Sequence, residues 1–108
     1  MLHYYRLGKD GVPIEESDIL EWAAWVQTAV ILLQQTNLGD VAIITKFIGF
    51  SGKEPPELWE TEIHGSLWNG QRFTCAGTRD DAEKHHLEVV ETIKNLLAKN
   101  QNPTKGLL

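Results

Sequence analysis

The sequence predicts an α+β protein: an antiparallel sheet of four to five strands with two helices packed on one face, in the order β-α-β-β-β-β-α. Three observations carry that expectation. Apolar residues recur at helical spacing in two segments, Asp18–Ala29 and Thr78–Lys99. Between them, Val41–Phe50 and Leu58–His64 alternate as strands do, side chain by side chain across the sheet. Turn sequences, Thr36-Asn37-Leu38-Gly39-Asp40 and Asn69-Gly70, separate neighbouring runs, and strands joined by short turns pair antiparallel.

Leu2–Leu7 alternates weakly and is short enough for an edge strand. Gly8-Lys9-Asp10-Gly11 reads as a turn, and Pro13 keeps the chain extended after it. The first helix starts at Asp18, with Glu21 completing a variant of the capping box: each acid can accept from free N–H groups and face the positive end of the dipole. Its apolar stripe is Ile19, Trp22, Val26 and Ala29, with Trp25 beside it. Residues 30–35 are compatible with a helix end or a strand start; the hairpin turn that follows favours the strand.

Val41, Ile43, Thr45 and Phe47 share one face, and Ala42, Ile44, Lys46 and Ile48 the other. Both faces are mostly apolar, which marks a central strand. Ser51–Pro56 is a loop, Leu58–His64 a half-buried strand, and Gln71–Ala76 another short strand. The second helix has Thr78 as its N-cap and Asp80, Asp81 and Glu83 in its first turn. Its stripe runs through Ala82, His86, Val89, Val90, Ile93, Leu96 and Leu97. Residues 1–99 thus form one domain, and residues 100–108, rich in Asn, Pro and Gly, are expected to be a flexible tail.

At 108 residues, with 42% hydrophobic and 23% charged residues, the chain has the composition of one globular domain. It needs neither a metal nor a disulfide as a staple. The absence of a long apolar run and of a basic-then-apolar start in Met1–Arg6, together with a single cysteine, Cys75, leads to the expectation of a cytoplasmic protein without a membrane contact. The formal net charge is −5, and no Lys or Arg occurs between Asp10 and Thr45. Nucleic-acid affinity rests on Lys and Arg at phosphates, so a nucleic-acid partner is not expected.

Motifs for chemistry are sparse. His85 and His86 are neighbours on a helix and point about 100° apart, a poor arrangement for a shared ligand. His86 lies on the apolar stripe, as a buried, neutral, hydrogen-bonded core histidine would. There is no Cys-x-x-Cys or His-Glu-x-x-His, no nucleophile elbow around Cys75, and no phosphate loop. No catalytic residue, metal ligand or cofactor is assigned. Glu60, Glu62 and His64 share one strand face, and Trp68 sits on the loop Gly65–Gly70, either held out as a binding anchor or folded back as a lid on the sheet.

Tyr4-Tyr5-Arg6-Leu7, Asp18-Ile19-Leu20-Glu21-Trp22-Ala23-x-Trp25 and Leu38-Gly39-Asp40-Val41 resemble a group of small bacteriophage and prophage proteins of unassigned role. Thr45-x-Phe47-x-Gly49, Pro55-Pro56-x-Leu58-Trp59-Glu60-Thr61 and Ala82-x-x-x-His86 are similar too, so the likeness spans roughly residues 4–93. The chain departs from that group at Val30-Ile31-Leu32-Leu33, where its members tend to carry arginines. The resemblance implies a phage-type accessory protein and supplies no activity.

The leading expectation is a non-enzymatic protein that binds a bacterial host or defence protein through an acidic, Trp-bearing surface made of Glu60, Glu62, His64 and Trp68. The alternative is an oligomer that sequesters a nucleotide-like small molecule, stacked on Trp68 and charge-paired with Arg72 or Arg79, with Val30–Leu33 as a subunit interface.

Overall fold

Two antiparallel sheets and two helices build this α+β chain; a computed structural model describes residues 1–29 and 31–100. The strands are β1 (His3–Leu7), β2 (Pro13–Glu16), β3 (Leu32–Leu38), β4 (Val41–Phe47), β5 (Phe50–Ser51), β6 (Glu57–His64) and β7 (Arg72–Ala76). The helices are α1 (Ile19–Thr28) and α2 (Arg79–Asn100). The readings made of Val30 and of residues 101–108 lie outside the described residues. Asn100, expected to begin the tail, ends α2 instead.

The expected single sheet is divided in two. β3-β4-β6-β7 form one sheet of four strands, and β2-β1-β5 a second of three. Local chemistry explains the split. Pro13 opens β2 at a sheet edge, where a residue without an N–H is tolerated. Gly49, at φ +75°, turns the chain out of β4, so Phe50 and Ser51 pair with β1 instead of extending β4. The helices are divided as well. α1 lies on the small sheet, where the Trp22 ring packs 4.9 Å from that of Tyr4, tilted by 51°, and donates its Nε1–H to the Tyr5 carbonyl at 2.9 Å. α2 covers one face of the four-stranded sheet.

Both helix starts follow the sequence. Asp18 accepts from the Leu20 and Glu21 N–H groups at 2.9 and 3.4 Å. The Thr78 N–H donates to Asp81 at 2.9 Å while the Asp81 N–H reaches back to Thr78 Oγ1 at 3.4 Å, a reciprocal cap. α1 is shallower than its stripe implied: no residue of it is fully buried, and Ile19 is half-exposed.

β4 is central, with Val41, Ile43, Thr45 and Phe47 all buried. Two apolar clusters lie under α2. Val41, Ile43 and Ile63 pack on Val90 and Ile93; Phe47, Leu58 and Trp59 pack on Ala82, with Tyr5 and Leu7 of the small sheet joining from the other side. A bulge between Glu57 and Trp59 puts Leu58 and Trp59 both inward and leaves Glu57 on the outer face. At the far end of β6, Gly65 adopts φ +100°, ψ 159°, a region open essentially to glycine alone, and a Cβ there would collide with the Asp40 carbonyl. That contact locks the β6 exit against the β3–β4 turn.

Candidate functional site

The face of the four-stranded sheet turned away from α2 carries Glu60, Glu62 and His64, as their alternation on β6 requires. Register adds two cations the sequence reading did not place there. Lys46 of β4 stands opposite Glu60, and Arg72 of β7 opposite Glu62. The Glu62 carboxylate accepts from Lys46 Nζ at 2.9 Å on one oxygen and lies 3.1 Å from His64 Nε2 on the other. At the β6 start, Glu57 accepts from Lys53 Nζ at 3.1 Å and from the Thr74 hydroxyl.

Glu60 and Glu62 form a linked carboxyl pair. Partial burial, followed by the hydrogen bond and negative charge of Glu62, raises the Glu60 pKa above its ordinary 4.5. The same hydrogen bond, donated by the Glu60 carboxyl, together with Lys46, holds Glu62 down to about 2. Two carboxylates this close disfavour simultaneous ionisation, so Glu60 is the member that keeps the proton longer.

A carboxyl 13C NMR titration is therefore expected to show Glu62 ionised down to strongly acidic pH and Glu60 titrating above 4.5. In Glu62→Gln the Glu60 midpoint is expected to fall, because the negative charge of Glu62 is lost while the lowering pull of Lys46 and Arg72 remains. Two independent carboxyls titrating near 4.5 would show that the pair does not form.

Trp68 is not on this face. It ends a single 3-10 turn, Ser66–Trp68, and folds back half-buried onto the Val41, Ile43, Ile63 cluster on the α2 side. The residue held out on that loop is its neighbour Leu67, 83% exposed. The indole gains more by covering the end of the core than by standing in water.

The alternative ligand set is not brought together either. Trp68 packs on the α2 side of the sheet, Arg72 belongs to the opposite face, and Arg79 sits at the start of α2. Arg79 instead lines a cleft of about 340 Å³ between the two sheets, with Leu7, Ile31, Leu33, Trp59 and Glu83. Of the described residues in the apolar run expected as a subunit interface, Ile31 and Leu33 pack against the Phe47–Trp59 cluster and Leu32 is well exposed. Cys75 is half-buried, and burial with the nearby carboxylates of Asp81, Glu57 and Glu88 pushes its thiol up to about 11, as befits a structural residue.

No known family model, curated protein or solved structure matches the chain. Among the described residues, no helix is long and apolar enough to cross a membrane, and no group of three or more His, Cys, Asp or Glu side chains is placed to hold a metal ion.

Proposed function

We propose that this chain is a non-enzymatic binding protein, a phage- or prophage-type accessory factor that engages a bacterial protein through the outer face of its four-stranded sheet. The observation that supports the reading is the linked carboxyl pair Glu60–Glu62, flanked by His64, Lys46 and Arg72, on the sheet face opposite α2. A set of fixed charges on a rigid strand costs little entropy to present and selects a partner by complementarity more than by area. Trp68 has no part in this surface, because it packs on the other side of the sheet. The resemblance to phage proteins supplies the bacterial side of the proposal.

Glu60→Lys combined with Glu62→Lys reverses the centre of the face. Wild-type bait is expected to retain a specific protein from a bacterial lysate and the double variant to lose it, with circular dichroism unchanged. Retention of the same protein by both baits, or by neither, overturns the proposal.

A further inference from the structure

The four-stranded sheet has two edges, and they are built differently. The β3 edge is interrupted by a bulge between Leu32 and Gln34, a device that discourages another strand from adding. The β7 edge, Arg72-Phe73-Thr74-Cys75-Ala76, has no proline or lysine and no extra residue of its own, since the bulge in its pairing with β6 lies on β6, and its one charge is at its end. Its hydrogen-bonding direction follows from register. The Ile63 N–H donates to the Gln71 carbonyl at 2.9 Å, so alternation turns Phe73 and Cys75 toward β6. The N–H and C=O groups of Arg72, Thr74 and Ala76 then point away from β6, on the side where β7 has no neighbouring strand among the described residues.

On the inner face of the same strand Phe73 is 41% exposed. It borders a groove of about 220 Å³ whose apolar wall is Val89 and Ile93 of α2.

We propose that two copies of this chain pair β7 against β7 about a two-fold axis at Thr74, joining their sheets into one of eight strands. The outward groups at Arg72, Thr74 and Ala76 are symmetric about Thr74, so an antiparallel copy of the strand satisfies all of them with none left over. The side chains agree with that register. Arg72 meets the partner's Ala76, a small residue beside Glu57 in the β6–β7 register, so a guanidinium there gains a carboxylate neighbour. Like charges stay apart, since Arg72 of each copy lies at opposite ends of the joined strands. Phe73 falls beside the partner's Cys75 on the inner face, and the two grooves close over the two phenyl rings. The pairing does not depend on the bacterial partner proposed above and leaves Glu60 and Glu62 uncovered.

Analytical ultracentrifugation of the wild-type chain over a concentration series is expected to show a species of twice the monomer mass. Thr74→Pro removes an outward N–H without touching the β6 ladder, and Phe73→Lys places a charge on the edge. Each is expected to give a monomer that keeps wild-type circular dichroism. In a Cys75→Ser background, Thr74→Cys is expected to couple to itself through a short bifunctional thiol reagent, whereas Gln35→Cys on the β3 edge is not. A wild-type chain that stays monomeric at every concentration overturns the proposal. So does a dimer that survives both edge variants, or one that couples through Gln35→Cys, or a dimer seen only when an added extended peptide is present.

Discussion

Replacing Trp59 with alanine is expected to lower the unfolding free energy by about 3–5 kcal/mol, the range for deleting a buried aromatic from a core. Trp59 is 1% exposed and stands where the two sheets and the start of α2 meet. Its ring lies 4.9 Å from Phe47 at 66°, an edge-on contact, and packs with Leu58 and Ala82. Its Nε1–H donates to the Gly77 carbonyl at 2.9 Å, tying β6 to the loop that launches α2. Truncation therefore opens a cavity and leaves that carbonyl without its donor. Domains of this size are stable by roughly 5–15 kcal/mol, so a large share is lost. Trp59→Phe keeps most of the ring and forfeits the hydrogen bond, for an expected loss of about 1–3 kcal/mol. Urea denaturation followed by far-ultraviolet circular dichroism measures both. A loss below about 1 kcal/mol for the alanine variant would mean that the junction collapses around the missing ring.

Much of this fold was legible in local chemistry. Asp18 and Thr78 announced their helices because caps act within one turn, on neighbours in sequence. The run Val41–Phe47 announced an interior strand, and β4 has a neighbour on each side; its second face, Ala42, Ile44 and Lys46, is only half-buried, because no layer among the described residues covers that side of the sheet. The division into two sheets was hidden. It depends on Gly49 turning the chain after Phe47 and on a two-residue strand, Phe50–Ser51, too short to show a period. Nothing in Leu2–Leu7 says which strand it will pair with. The shallow seat of α1 was hidden for a related reason: the helical stripe shows which face is apolar, and the partner sheet decides how far it is covered.

The candidate face was half legible. Alternation alone puts Glu60, Glu62 and His64 side by side on β6. The cations opposite them come from residues 14 positions earlier, Lys46, and 10 positions later, Arg72, so only the pairing register brings them in. Gly39, at φ +64°, closes the two-residue β3–β4 turn, and the connection from β4 to β6 runs through β5 of the other sheet, so local sequence does not show the β6 register. Trp68 defeated the loop-anchor reading because a 3-10 turn rotates it inward and Leu67 outward, a difference of one residue that composition does not encode. The bulge at Glu57 acts in the same way, shifting one carboxylate to the outer face against the simple alternation.

His86 is expected to make the fold acid-sensitive. Helical spacing put it on the stripe between Ala82 and Val90, and the structure buries it completely, at 0% exposure. Both ring nitrogens are engaged: Nδ1 lies 2.7 Å from Thr45 Oγ1 and Nε2 2.8 Å from Thr36 Oγ1. Thr45 Oγ1 continues the chain to Thr61 Oγ1 at 2.6 Å, so one helix side chain is tied to three strands, β3, β4 and β6. In the neutral ring one nitrogen donates and the other accepts, and a hydroxyl can answer either. Burial, and secondarily the neighbouring His85, lowers the folded-state pKa below the ordinary 6.5. The unfolded chain then binds the proton more readily, so the stability present above pH 6.5 is lost progressively as the pH falls toward the folded-state value. Chemical denaturation at a series of pH values from 7.5 to 5.5 is expected to give a falling midpoint for the wild type. His86→Gln keeps a hydrogen-bonding side chain without a titration, and its slope is expected to be smaller; the other ionisable groups are common to both chains, so the difference belongs to His86. His86→Leu strands the threonine hydroxyls in the core and is expected to cost about 1–3 kcal/mol even at pH 7.5. If the wild-type and His86→Gln slopes coincide, the ring does not remain neutral and shielded beneath α2, and the hydroxyl chain cannot be what holds the helix to the sheet.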